Sequence, residues 1–282
     1  MSLSEPNTKV HVGRVNVKDD LIKDIDRAVE LIGGFKGLID PNDKILIKAN
    51  LNSPDKYPAS SDLNFIKAVV ELLKNHGSAN ITIGASSGLA WHPTSKVLKK
   101  KKLPRLADEL GVRLVNFDEG EWTKIDIKGQ YLKEVHIAKE AIEADKLIYL
   151  PNMKTHALAR FSMGIKFAVG LTRPDTRYFL HKGNLEEKVA EINLAVKPDL
   201  ILLDARKCMV TRGPAKGRRK KPGYIFACTD MVALDVEALK VLKSFKAKNR
   251  LNMPIWDLPQ IAAARKLKLG VQTEADYTLL IG

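Results

Sequence analysis

Only two cysteines, Cys208 and Cys228, occur in 282 residues, and no C-x-x-C pair is present. That disfavours zinc ribbons, cysteine-ligated iron–sulfur clusters and a disulfide framework, and the two thiols read as buried and reduced. Aromatic residues make up 6%, so base stacking has few platforms; no RNA- or DNA-reading signature accompanies them, and nucleic acid is disfavoured as a partner. No apolar run approaches the roughly 20 residues of a membrane-spanning helix, and the reading is of a cytoplasmic protein without membrane contact. What is present is globular. With 45% hydrophobic and 28% charged residues, the chain can bury a core without covalent staples.

Lys and Arg number 47 against 33 Asp and Glu, a net charge of +14, which favours an anionic ligand or an acidic partner. Two runs concentrate it, Lys96 to Arg105 and a basic loop from Arg206 to Lys221. The second reads either as a solvated face or as an anion clamp.

Residues 1–8 read as an expression remnant (Met1, Ser2, Leu3) and a disordered N-terminus, and 9–282 as one α/β domain, with a division into two lobes near residue 145 left open. From Lys9, β-branched runs alternate with amphipathic stretches, the pattern of βα units around a mainly parallel sheet. Val10 to Val15 reads as a strand and Asp19 or Asp20 as the cap of the next helix. Later strands are expected at Lys44–Lys48, Ile81–Gly84, Lys146–Leu150, Leu200–Asp204 and Tyr224–Thr229, and an appended hairpin at Trp122–Ile137. Ser86 to Pro104, with its Trp91-His92-Pro93 element, reads as irregular, Pro151–His156 as a loop, and Phe161–Val169 as a helix.

In open parallel sheets the working face lies beyond the carboxyl ends of the strands. If all these strands run one way, the loops after them converge on one crevice. Pro151 to His181 carries the most chemistry there: Lys154, His156, Lys166 and His181 supply cations, a general base or a metal ligand. Asn50 and Asn52 follow the second strand and could orient a ligand, or could be turn residues. Ser86 and Ser87, in Gly84-Ala-Ser-Ser-Gly88, could present hydroxyls and backbone N–H groups to a phosphate or carboxylate. Asp204, Asp230 and Asp235 could gather around a cation, unless Asp230 simply caps the following helix.

Lys-Ala-Asn-Leu-Asn at 48–52, Leu-Pro-Asn-Met-Lys-Thr-His at 150–156, Gly-Ile-Lys-Phe-Ala-Val-Gly at 164–170, Gly-Pro-Ala-Lys-Gly at 213–217 and Asp-Met-Val-Ala-Leu-Asp at 230–235 resemble the uncharacterised family called domain of unknown function 362. Many of its members look fused to ferredoxin-like cluster domains; this chain lacks those cysteines, so any redox partner would have to be separate. His156, Lys166 and His181 also stand in the order and approximate spacing of a remoter family, the lactate racemases. That similarity implies a lysine anchoring a nickel-pincer nucleotide, a histidine ligating nickel and further histidines as acid and base, His92 being the nearby candidate for one of them.

Two functions follow as expectations. One is an isomerase- or racemase-like enzyme acting on a small anionic substrate with a metal ion or a nucleotide-like phosphate cofactor. In it Lys166 anchors the cofactor, His181 ligates the metal, His156 moves a proton, and Lys154 and Arg173 hold the anion. The other is a binding or accessory protein whose basic surface docks an acidic partner such as a ferredoxin or an RNA. Oligomeric state is left open, with a homodimer admitted.

Overall fold

The computed structural model describes residues 9–18, 20–88 and 92–282. The expression remnant, Asp19 as a cap and Trp91 fall outside the described residues. The strands are β1 Val10–Asn16, β2 Ile45–Ala49, β3 Ile81–Ala85, β4 Arg113–Asn116, β5 Trp122–Asp126, β6 Glu134–Ala138, β7 Lys146–Leu150, β8 Asn152–His156, β9 Arg160–Ser162, β10 Leu200–Met209, β11 Arg219–Lys220, β12 Tyr224–Cys228 and β13 Tyr277–Ile281. The helices are α1 Leu21–Glu30, α2 Leu63–Asn75, α3 Thr94–Lys100, α4 Leu103–Leu110, α5 Lys139–Glu143, α6 Gly164–Phe167, α7 Pro174–Leu180, α8 Leu185–Ile192, α9 Met231–Ser244 and α10 Pro259–Lys266. Asp20 caps α1 by accepting from Ile22 and Lys23, and Asp62 caps α2 through Asn64.

The main sheet runs β13-β1-β12-β10-β7-β2-β3-β4. Along that path β12 alone is antiparallel to its neighbours; the other pairings are parallel. Successive strand residues go to opposite sides, as the pleat requires. Ile45, Ile47, Ile148, Leu150, Leu200 and Leu202 pack with Ile25, Phe65 and Leu103 on one side, while Leu46, Leu147, Tyr149, Ile201 and Leu203 pack with Val189, Leu239 and Ile261 on the other. Both faces are therefore covered by helices, the condition that lets a parallel sheet read as continuous apolar runs. The fold is mixed α/β, a mainly parallel sheet flanked by helices with a separate antiparallel hairpin, β5–β6. Among the described residues no helix is long and apolar enough to cross a membrane.

Several elements depart from the sequence reading. Pro151–His156 is not a loop: after Pro151 the chain resumes as β8, every residue of it buried. Phe161–Val169 is not one helix; β9 ends at Ser162 and α6 starts at Gly164. Ser86–Pro104 contains α3, so the Lys96–Arg105 run lies largely on α3 and α4. Strand β10 continues past Asp204 to Met209, taking Arg206 and Lys207 out of the basic loop. Because β12 runs against its neighbours, Asp230 emerges at the opposite edge of the sheet, where it caps α9 through Val232 and Ala233.

The hairpin packs on the body through Val135 and Ile137 and an Ile137–Thr172 bridge, and a buried carboxylate fastens its connection. Glu191 of α8 accepts from the backbone N–H groups of Gln130, Tyr131 and Leu132 in the β5–β6 connection, and a Cβ at Gly129 would come 2.5 Å from its Oε2. Glu191→Gln keeps the volume but turns an amide N–H2 toward donors that need an acceptor. It is expected to cost about 2–3 kcal/mol, read as a lowered denaturation midpoint, with faster amide exchange confined to residues 127–133.

Candidate functional site

Strands β2, β3, β7 and β10 run the same way, so their carboxyl ends share one edge. The extra length of β10 gives β8 a partner beyond that edge, with Asn152 opposite Asp204 and Lys154 opposite Met209. Alternation along β8 turns Lys154 and His156 to the same side. Between β8, the ends of β2 and β3, and helices α6 and α7 lies a cavity of about 320 Å³, at the small end of ligand pockets.

Of the residues singled out from sequence, Asn50, Asn52, Ser86, Ser87, Lys154, His156, Lys166 and His181 line this cavity, and Arg173 does not. Arg173 precedes α7 on the surface, where its guanidinium is bound by Asp175. Its place is taken by Arg177, one helical turn on, and by Lys48 at the end of β2. Both could have been found. Lys48 is two residues from Asn50 on a strand, and Arg177 stands four residues from His181 on a helix.

Charge dominates the cavity. Lys48 is buried, its Nζ 3.6 Å from the centroid of the Phe167 ring. Gly170 makes room for it, since a Cβ there would lie 2.6 Å from that Nζ. Lys154 is 2% exposed and its Nζ donates to Ala59 O at 2.8 Å. Lys166, on α6, is half-buried. Among the described residues none of these lysines has a carboxylate as a partner, and the charges that act on them are one another's and that of Arg177. Burial holds Lys48 well below its ordinary value. Burial, then Lys166, pushes Lys154 down to about 7, and burial takes Lys166 to about 8. The carboxylate on the wall, Asp55, accepts from Ser53 and acts on Lys101 instead. Arg177 is spoken for: it donates to Ser87 O and pairs with Asp118, bracing the Ser86–Ser87 segment.

Three histidines line the cavity, His92 among them, and the other two, His156 and His181, carry opposite tautomers. His156 Nδ1 accepts from the backbone N–H groups of Leu158 and Ala159 at 3.2 and 3.0 Å. A backbone N–H can only donate, so this nitrogen is unprotonated and Nε2 carries the hydrogen. Burial and the neighbouring Lys166, Lys154 and His181 push the ring down to about 2, so it stays neutral. His181 Nδ1 lies 2.8 Å from Arg177 O; a carbonyl can only accept, so Nδ1 bears the hydrogen and Nε2 keeps its lone pair. Of these two rings, His181 is the one whose free nitrogen can accept a proton, while His156, expected to move a proton, offers the one on Nε2.

Remote groups fix this arrangement. Asp235 of α9 accepts from Gly164 N at 2.6 Å and Ile165 N at 2.9 Å, setting the first turn of α6 and with it Lys166. Gly213 packs directly on Thr155 O, which brings Pro214 and Ala215 to the rim. Asp204 is held by Tyr57 and Arg206. The three aspartates considered for a cation thus serve three separate structural bonds. Among the described residues no group of three His, Cys, Asp or Glu side chains is placed to hold a metal ion.

Two outcomes check this geometry. Nitrogen NMR of the imidazoles is expected to show His156 with its proton on Nε2 and His181 with its proton on Nδ1, and His156 without a titration while the protein stays folded. Gly170→Ala would set its Cβ 2.6 Å from the Lys48 Nζ and displace that ammonium, expected as a shifted Lys48 side-chain resonance with little change in denaturation midpoint.

The sequence model described as "Domain of unknown function (DUF362)" matches residues 45–240. The thylakoid-associated protein sll1697 of Synechocystis is 26% identical over 267 residues, covering 92% of this chain and 78% of that protein. Among solved structures, the lactate racemase apoprotein of Thermoanaerobacterium thermosaccharolyticum overlaps with a TM-score of 0.45 at 18% identity, covering 72% of this chain and 52% of that one. A structural-genomics crystal structure from Thermotoga maritima overlaps with a TM-score of 0.44 at 13% identity, covering 67% and 50%. The chain spans about half the length of the solved structures it matches. Matched by the family model over residues 45–240, a stretch that takes in all the motifs quoted above, the chain belongs to the DUF362 family.

Proposed function

We propose that this protein is an enzyme that binds a small carboxylate- or phosphate-bearing substrate in the cavity and moves a proton on it, in the manner of an isomerase or racemase. One observation carries the reading. Lys48, Lys154 and Lys166 share one small cavity without a carboxylate between them, an arrangement that costs stability unless an anion joins it. His156 Nε2–H and the Asn50–Asn52 and Ser86–Ser87 segments add uncharged groups, and the His181 Nε2 lone pair supplies the base. A metal held by three side chains of the protein finds no such group among the described residues, and no step is assigned to one. A phosphate-bearing cofactor fits the lysines as well as a substrate does. The proposal includes a cytoplasmic setting, in keeping with two buried, unpaired cysteines.

Lys166→Met and Lys48→Met are each expected to weaken binding of a small carboxylate roughly ten- to a hundredfold, the loss of one charge-assisted contact, measured by calorimetry. His181→Asn should leave that affinity within a few-fold while abolishing exchange of substrate carbon-bound deuterium with water. Affinity for the anion should fall as pH rises through about 7 and about 8, where Lys154 and Lys166 lose their protons. Unchanged affinity in both lysine variants would overturn the reading.

One observation favours docking of an acidic partner as a second reading: Arg218, Arg219, Lys220 and Lys221 are all exposed, next to the rim formed by Pro214 and Ala215. Such binding should collapse between low and moderate salt and depend on these four residues rather than on the cavity lysines.

A further inference from the structure

Among the amines of the cavity, Lys154 has the surroundings of a nucleophile. It is almost wholly buried, and its Nζ is held by a neutral acceptor, Ala59 O. The ammonium of Lys166 is the charge that acts on it. As an ammonium, Lys154 would be buried without a counter-ion and repelled by a like charge. As an amine it escapes both penalties, keeps an N–H for Ala59 O, and gains a lone pair. Burial and Lys166 bring it down to about 7, so near neutrality about half of it is amine, against roughly one part in a thousand for an exposed lysine.

We infer that Lys154 forms an imine with its substrate, and that the cavity takes small anions carrying an aldehyde or ketone beside the charged group, the 2-oxo acids. The inference rests on the anion-binding reading above and names its substrate class. Lys166 and Lys48 hold the carboxylate, while His156 Nε2–H donates to the carbonyl oxygen. The Lys154 lone pair forms the N–C bond as the C=O π bond opens, and a proton passes from nitrogen to oxygen to give a carbinolamine. That hydroxyl then leaves as water, with a proton from the Lys166 ammonium that solvent replaces, and the iminium remains. The lone pair of His181 is the base that would take a proton from the carbon next to the iminium, its electron pair moving into the C=C–N system.

The test uses the full chain with pyruvate as probe and propionate, which lacks the carbonyl, as control. Calorimetry reports anion binding. Cyanoborohydride, which delivers hydride to the iminium carbon, reports the covalent step as one added pyruvic acid less one oxygen atom in the intact mass, located by peptide mapping. The expected result is that both acids bind, that pyruvate alone adds mass, that the adduct maps to Lys154 about a hundredfold above any exposed lysine, and that trapping rises with pH through about 7. Lys154→Arg should give no adduct with pyruvate; if that variant does not fold, mapping on the unaltered chain decides alone. Binding of both acids without an adduct, or an adduct on Lys48, Lys166 or exposed lysines in place of Lys154, overturns the imine at Lys154 and leaves the anion site standing. Failure of both acids to bind overturns the anion site and the imine together.

Discussion

Lysine ammonium groups brought together in a buried cavity repel one another, and each gives up water to be there. Much of the surrounding fold acts to hold such groups in place. Lys48 is threaded between the ring of Phe167 and the bare backbone of Gly170. Lys166 is aimed by a helix only one turn long, whose first N–H groups are taken by Asp235. Lys154 is tethered to Ala59 O. The loop that carries Ala59 is itself fastened by Tyr57 to Asp204, which Arg206 grips and joins to Asp62. Each lysine thus rests on neutral groups close by, with charged anchors further out.

The sheet explains how so short a segment can be so well buried. Had β10 stopped at Asp204, the segment beyond Asn152 would have been left with β9 as its strand partner and its other edge open to solvent. The five further residues of β10 cover that edge, with an irregular register between Asp204 and Met209, and β9 covers the first, Lys154 facing Ser162. Polar side chains can sit in a fully buried strand because they face a cavity.

The parts of the fold carried by apolar periodicity were legible from sequence: the buried strands of the parallel sheet, the amphipathic helices, the hairpin and the polar residues following β2 and β3. Strand direction was not legible, because the period-2 pattern is the same read either way; β12 therefore sent Asp230 to an unexpected edge. Asn-Met-Lys-Thr-His was read as a loop since its polarity is that of a loop, and only the length of β10 overrides this. Phe161–Val169 was read as a helix from its apolar content, yet Asp235, some 70 positions away, sets where the helix begins. The cavity residues were mostly found because they follow strands. Arg177 is not singled out by the sequence, which does not show which turn of α7 faces inward.

Proton and anion binding in this cavity must be linked. The lysines that burial and mutual repulsion hold below their ordinary value of 10.5 bind protons more weakly when folded than when unfolded, so the ligand-free fold gains stability as pH climbs from about 7 toward that value. An anion reverses the balance by favouring the protonated amines, and it stabilises most on the acid side of the same window. The groups do not respond alike. A carboxylate placed against Lys166 and Lys48 fixes their charge, and the charge on Lys166 is what presses on Lys154. On the reading proposed here, the ammonium that holds the ligand also keeps its neighbour an amine, so one repulsive contact supplies both affinity and reactivity.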